Sequence, residues 1–410
     1  MSQIPLTPVG SSSPSAPAPA SRSRRQRWLV LGTLLAVVLA WVYGWLNAGF
    51  DVAPEALAVI PGATRVEVRG SIYLGYDASG QLVGYAGLGE APGYGGPITL
   101  VVGLDPAGIL TNVRVVRQRE TPSFFRLLDR EGFITQFAGQ PFDSGFQLGQ
   151  DLDAVSGATF SSEGVAAATR QAIRAVASEG LGQSLPPEDQ PIRFGIPEAV
   201  LILLYAVGYI GHRLRSAVWR VRTRWATLIT GMIVIGFIYT MPFTITQVVS
   251  LVSGYWPDWH TNLYWYLLIG GIVFVTTVDA KNPYCSWFCP FGAFQECLGT
   301  LSGAKLYRPR QWSTLLTWVQ RGLAGLAIIL GLALRRPGVA GYEPFGTLFD
   351  LRGTTVQWIF LLLVVLASLV IYRPFCNYLC PIDPVVDFIA EFRRQVRELW
   401  RRWQTRNAKM

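Results

Sequence analysis

Charge is scarce in this chain. Only 15% of its 410 residues are charged and 50% are hydrophobic, where a soluble domain carries about 25% charged residues. A single water-soluble globule of ordinary composition is therefore excluded. Cysteine is scarce too, and five residues cannot build a disulfide scaffold. Histidine is scarcer still, with His212 and His260 alone. What charge there is sits unevenly. Residues 51–195 hold ten basic and sixteen acidic residues, net −6, although the whole chain carries +9. A nucleic-acid binder would gather its positive charge on a folded polar domain. Here it flanks long apolar runs, which is the pattern of a membrane protein.

Six stretches are apolar enough to cross a bilayer, which takes about 20 residues: 28–48, 197–212, 226–248, 262–279, 312–334 and 356–372. Arg22, Arg24, Arg25 and Arg27 precede the first. Arg213, Arg215, Arg220, Arg222 and Arg224 separate the second and third. Lys281, Lys305, Arg308 and Arg310 separate the fourth and fifth. Arg393, Arg394, Arg397, Arg401, Arg402, Arg406 and Lys409 fill the end. Every second loop is basic, and basic loops are cytoplasmic. Loop 249–261 has no Lys or Arg, and loop 335–355 has three. The expectation is an α-helical membrane protein of the bacterial cytoplasmic (inner) membrane, with both termini inside and 49–196 forming an extracytoplasmic α+β domain. Residues 1–27 read as a disordered cytoplasmic tail, rich in Ser, Pro and Ala over 1–21. Residues 28–48 read as an anchor, because the run exceeds the 7–15-residue core of a signal peptide. Ser23-Arg24-Arg25 has a faint likeness to a twin-arginine signal, but positive-inside anchoring explains these arginines better. Residues 197–381 read as a five-span membrane domain and 382–410 as a basic cytoplasmic tail. The topology puts His212 and His260 on opposite faces, which argues against a bis-histidine haem.

Within 49–196, residues 71–87 and 98–119 read as hairpins turning at Asp77–Gly80 and Asp105–Gly108. Residues 123–138 read as one or two short helices. Phe124, Leu127 and Leu128 share a face before Gly132, and Phe133 and Phe137 share one after it. Residues 162–178 read as a helix with Val165, Ala168, Ala172, Ile173 and Val176 on one side. Just before it runs Asp153-Ala154-Val155-Ser156-Gly157-Ala158-Thr159-Phe160-Ser161-Ser162. Small residues opening a helix suit a phosphate, since free N–H groups and the positive dipole end meet there. An ordinary N-cap by Ser161 or Ser162 is the plainer reading.

The run Asp-x-x-Ser-Gly-Ala-Thr-x-Ser resembles the flavinylation motif of the FMN-binding domain family, which includes subunits of sodium-pumping quinone reductases and of Rnf complexes. The resemblance implies that a flavin transferase esterifies FMN through its phosphate to Thr159. Asp153, Ser156, Gly157, Ala158 and Ser161 match the rest of the motif. Gly93-Tyr94-Gly95-Gly96-Pro97 resembles the family's glycine loop. Glu120-Thr121-Pro122 resembles its flavin-contacting loop, although Ser123 stands where glycine is usual. An ester-tethered flavin would stay bound in a compartment where free FMN is scarce.

Four cysteines fall in two copies of one pattern, Cys285-x-x-x-Cys289-Pro290 and Cys376-x-x-x-Cys380-Pro381. Cytoplasmic thiols stay reduced, and Cys-x-x-x-Cys-Pro resembles the end of ferredoxin motifs. Four thiolates can hold one 4Fe–4S cluster. They can also hold a structural zinc ion or work as a dithiol switch, and spacing alone leaves all three open. Cys297 reads as an apolar cysteine. A flavin domain followed by spans carrying the paired motif, with Cys-Pro-Phe-Gly-Ala-Phe-Gln-Glu at 289–296, resembles the NosR/NirI/PceC group of membrane flavoproteins. After Pro381 a basic tail stands where NosR and NirI carry a ferredoxin module. The layout is nearer to PceC-type or NapH-type proteins.

Arg321 with Gln320 lies inside a span. It could hold a quinone head group or snorkel toward the interface. Taken together, the expectation is an electron-transfer flavoprotein linking quinol or a cytoplasmic donor to an extracytoplasmic reductase or maturation factor. It would work among membrane lipid and quinone, without nucleic acid, and quinol dehydrogenase activity is one form of it. The bilayer core is ~30 Å thick, too far for one electron hop, so an intermediary is expected: a quinol, a second flavin or a partner subunit. A redox sensor governing a partner reductase and a passive scaffold are the rival readings.

Overall fold

The computed structural model describes residues 24–47, 49, 51–93, 96–119, 122–156, 158–186, 192, 194–260, 262–279, 282, 284–305 and 313–407. Helix α1 (Arg24–Leu46) is followed by α2 (Ala53–Val59) and an antiparallel meander. The strands are β1 (Arg65–Arg69), β2 (Ile72–Tyr76), β3 (Leu82–Pro92), β4 (Pro97–Leu104) and β5 (Leu110–Gln118), paired in the order β1-β2-β3-β4-β5. Both expected hairpins are present. β1 and α2 were not expected, since neither short segment has a periodicity long enough to read.

β4 (Pro-Ile-Thr-Leu-Val-Val-Gly-Leu) is buried along its whole length because helices cover both faces. Ile98, Leu100, Val102 and Leu104 point into one apolar cluster with α4 (Thr159–Glu179), and Val101 points into another with Val59 of α2. Strand alternation of period two makes that division. The seat of α4 depends on Gly89 of β3: a Cβ there would stand 1.9 Å from the Ala168 carbonyl oxygen. Helix α3 (Pro122–Arg130) ends at Gly132, whose φ of 65° takes the chain into a 3-10 turn at Phe133–Phe137. Phe133, Phe137 and Phe146 then close that end of the core, Phe137 lying edge-on to Phe133 and stacked on Phe146.

The remainder is helical: α5 (Ile196–Arg213), α6 (Ala217–Thr230) continued by a π-helical stretch to Ile238, α7 (Ile245–Ser253), α8 (Leu263–Asp279), α9 (Pro290–Ser302), α10 (Ser313–Ala333), α11 (Phe345–Phe349), α12 (Thr355–Val370), α13 (Pro374–Tyr378) and α14 (Ile382–Asn407). Among the described residues, Trp28–Leu46, Ala217–Ile238 and Thr314–Ala333 are helices long and apolar enough to cross a membrane. Leu263–Val278 and Thr355–Val370 are shorter apolar helices. Helix α1 packs on α10, with Gly44 against the Leu332 carbonyl.

The expected span 226–248 is not one helix. It starts earlier, at Ala217 inside the arginine-rich stretch, and breaks at Tyr239–Thr244 before α7. Pro242 has no N–H to continue the ladder, and Thr240 takes a φ of 51°. Such a break leaves backbone groups that lipid cannot satisfy. Side chains satisfy them here. The Tyr264 hydroxyl donates to the Met241 carbonyl at 3.0 Å, the Phe243 N–H donates to the Tyr284 hydroxyl at 2.7 Å, and the Ile245 N–H donates to Glu343 at 2.6 Å.

Candidate functional site

The loop 153–158 lies between the 3-10 turn and the first turn of α4. Gln136 clamps its start: the Asp153 N–H donates to Gln136 Oε1 at 2.8 Å, and Gln136 Nε2 donates to the Asp153 carbonyl at 3.3 Å. Thr159 opens α4 with its side chain exposed, and Ser156 is exposed beside it. Neither expected serine cap forms. The N-cap is Ala158, with no side-chain cap. Ser161 and Ser162 are fully buried, and Ser162 Oγ instead accepts from the Val155 N–H at 3.3 Å. The loop is thus held from within, while the mouth of the helix stays open around Thr159. Gly164, one turn on, stands against the Pro92 carbonyl and Gly93 Cα, where a Cβ would come within 2.9 and 3.1 Å. Gly93, the first residue of the glycine loop, therefore lies against the early turns of α4, and Tyr94 and Gly95 lie outside the described residues. Glu120, Thr121 and Gly157 lie outside the described residues.

The cysteine segments are not surface loops. Both turn inward to the core of the helical part, and Cys289 and Cys380 are buried. The first segment passes through a π-helical turn, Tyr284–Phe288, into α9. It fits because Gly231 leaves room for the Phe288 carbonyl: a Cβ at Gly231 would stand 2.4 Å from that oxygen. The second segment follows Arg373, whose φ of 48° reverses the chain after α12. Phe375 then packs on Phe291, Phe345 and Phe360.

The two segments meet. Burial pushes the Cys285, Cys289 and Cys380 thiols up and takes Cys376 to about 12, and Cys285, Cys376 and Cys380 each feel charge on others of the set. Free thiolates are costly in such a place, and a cationic metal centre is what stabilises them. Among the described residues no three or more His, Cys, Asp and Glu side chains are grouped closely enough to hold a metal ion. Cys297, half-buried beside Glu296 and Arg373, lies apart from the four.

Polar residues with no such role legible in the sequence hold the segments. Gln295 Nε2 donates to Cys376 Sγ at 3.3 Å, and its Oε1 accepts from the Phe375 N–H at 3.1 Å. Gln320 Nε2 donates to the Cys376 and Cys380 carbonyls at 3.3 and 2.9 Å. Buried Glu296 takes both Nη atoms of Arg224, at 2.6 and 2.7 Å, and also Arg373. Those arginines reach back to the first segment, Arg224 to the Ser286 carbonyl at 3.1 Å and Arg373 to the Cys285 carbonyl at 3.3 Å. Arg321 separates from its neighbour: it lies over Trp318 and 3.5 Å from Asp387 of α14. His260 pairs with Asp258 at 2.9 Å.

One stretch touches both sites. The Tyr342 hydroxyl donates to the Leu379 carbonyl at 2.8 Å, inside the second cysteine segment, and Arg352 Nη1 donates to the Ser156 carbonyl at 3.1 Å, inside the helix-mouth loop.

Residues 93–174 match the FMN-binding domain family, and residues 261–309 with 355–399 match the 4Fe-4S binding domain family. The chain carries an FMN-binding domain and a 4Fe-4S binding domain. Thr159 falls in the first, and all four paired cysteines fall in the second. The chain is 28% identical to NirI of Paracoccus denitrificans over 193 residues, 44% of this chain and 28% of that protein. It is 30% identical to YccM of Escherichia coli over 157 residues, 34% of this chain and 42% of that protein. It is 27% identical to NosR, a regulatory protein of Pseudomonas aeruginosa, over 216 residues, 48% of this chain and 30% of that protein. The likeness to the NosR/NirI type of flavoprotein read from the motifs is thus borne out. The chain spans 28–42% of the length of these relatives.

Proposed function

We propose that this is a membrane electron-transfer protein with covalent FMN on Thr159, facing the extracytoplasmic side, and a 4Fe–4S cluster on Cys285, Cys289, Cys376 and Cys380. Flavin and cluster would supply the electron chemistry, and the chain positions them. Thr159 presents the ester oxygen at the open mouth of α4. Gln136 fixes the loop that leads to it, and Ser156, Ala158 and buried Ser161 shape its floor. Asp153, Gly157, Glu120 and Thr121 complete the flavin site in this reading. Gln295, Gln320 and the Arg224–Glu296–Arg373 group hold the two cysteine segments together.

The observation that carries the proposal is the convergence of both cysteine segments in the core, with Tyr342–Arg352 running from them to the flavin loop. That stretch includes α11, so its contour is at most ~27 Å. Gln320, which donates to the Cys376 and Cys380 carbonyls, stands seven residues into the 21-residue α10, ~10 Å from its start. A cluster at that depth lies nearer the flavin than one at the membrane surface, which shortens the gap a quinol, a second flavin or a partner subunit would have to bridge. Electrons would pass between quinol or a cytoplasmic donor and an outside respiratory reductase or its maturation factor, after a flavin transferase has loaded Thr159. The bilayer would be crossed six times, with both termini inside. NirI and NosR favour a reductase system as partner, and the regulatory designation of NosR favours a second reading, a redox sensor governing such a reductase.

Two variants of the full chain, made in cells with the transferase, test this. Thr159→Ala should abolish in-gel flavin fluorescence and electron delivery to an outside acceptor. Cys376→Ser, purified anaerobically, should lose iron and the cluster's EPR signal. Intact delivery without flavin would support the sensor, and zinc in place of iron would refute the cluster.

A further inference from the structure

Arginines are rare in the loops that charge patterning assigns to the outer side, yet Arg335 and Arg336 stand together where α10 ends. The end of β5 brings Arg117 and Arg119 to the same place, and α1 adds Gly44 and Asn47. Between them lies a cavity of about 110 Å³ with mostly polar walls. Arg119 is 6% exposed. Its guanidinium lies 5.0 Å over the Tyr255 ring, and Arg335 lies 5.3 Å over the same ring while its Nε donates to the Tyr255 hydroxyl at 2.7 Å.

Among the described residues these four cations have one nearby carboxylate, Glu90, which is exposed and accepts from Thr99 Oγ1 at 2.8 Å. Among the described residues no carboxylate forms an ion pair with Arg119, Arg335 or Arg336. Burial and the neighbouring arginines Arg117, Arg335 and Arg336 lower Arg119 to about 10. Gathering like charges while stripping their water is unfavourable unless an anion joins them. Guanidinium forks fit phosphate oxygens in pairs, and arginine is the residue suited to that geometry. Leu334, whose side chain is exposed, lines the cavity, and an apolar surface at its edge is what acyl chains beside a lipid headgroup would require.

We propose that this cavity is a phosphate-binding site, built from Arg117 and Arg119 of the FMN-binding domain and Arg335 and Arg336 at the end of α10, which takes the headgroup of an anionic phospholipid or a free phosphate. Occupied, it ties the flavin domain to the helices by a charged clamp. This inference does not depend on the flavin ester or the cluster.

The full chain in a neutral detergent, titrated with phosphatidylglycerol and with diacylglycerol of the same chains, tests it by native mass spectrometry. Phosphatidylglycerol should be retained and diacylglycerol not. Arg335→Gln with Arg336→Gln should weaken phosphatidylglycerol at least tenfold, Arg335→Lys with Arg336→Lys should weaken it by less because the charge is kept and the fork is lost, and Arg65→Gln on β1 should change nothing. Competition by millimolar inorganic phosphate would identify free phosphate as a ligand, and its failure to compete would identify the lipid alone; either result upholds the phosphate site. Equal retention of the two lipids, or unchanged binding in the double glutamine variant, overturns it. So does a double glutamine variant that loses flavin while still binding lipid.

Discussion

Glu296 shows what a single buried charge does here. Its carboxylate, 4% exposed, is shared by Arg224 and Arg373, and both arginines touch the first cysteine segment. Glu296→Gln leaves two guanidinium groups short of their counter-charge. Breaking a buried pair costs about 3–5 kcal/mol, so this variant should unfold at lower denaturant and lose iron, as metal analysis would show. Unchanged iron would mean the group is only structural. Residues like this were half legible in the sequence. Gln295 and Glu296 sit in the Cys-Pro-Phe-Gly-Ala-Phe-Gln-Glu run, so the signal was there without its meaning. Gln136 and Arg352 carry no signal at all, because each acts on a backbone distant in sequence. Gln320 and Arg321 read as a pair, and the helix sends them to different faces: one to the backbone carbonyls of Cys376 and Cys380, the other to Asp387.

At the scale of elements, periodicity told most. The hairpins, the split at Gly132 and helix α4 follow from strand alternation and helical spacing, since each buries one face over several turns or pleats. The third apolar run misled because hydropathy does not register a break that tyrosine hydroxyls and a glutamate repair. Close packing of α4 on the sheet gives a sharp expectation. Gly89→Ala puts a methyl group 1.9 Å from the Ala168 carbonyl, so backbone must shift. Overpacking of this kind costs about 1–3 kcal/mol or more, readable as a lowered melting midpoint and a smaller fraction of chains carrying flavin. The other end of α4 is held by Glu179, whose carboxylate accepts from the Ser71 hydroxyl and from the Ser71 N–H at 2.9 Å. Those hydrogen bonds keep Glu179 below the ordinary carboxylate range. Its contribution is therefore present above the unfolded value of about 4.3 and lost as pH falls through the lower folded value. The gap in melting midpoint between wild type and Glu179→Gln should be present at pH 7 and close on acidification; a gap that persists in acid would contradict this origin.

The whole molecule joins a five-stranded flavin-binding domain to a helical domain whose core is made by its own cysteine segments. Charge patterning and the paired motifs announced both halves. How near the halves come was not legible, because the contacts that join them, Tyr342 to Leu379 and Arg352 to Ser156, belong to a stretch with no motif. The proposed electron transfer depends first on the flavin ester, since without it the sheet domain has no redox group. The decisive measurement is the mass of the tryptic fragment 131–170, which contains Thr159, from protein made alongside a flavin transferase. The account predicts a fragment heavier by FMN less one water, with fragmentation placing the addition on Thr159. An unmodified fragment from such cells would contradict it.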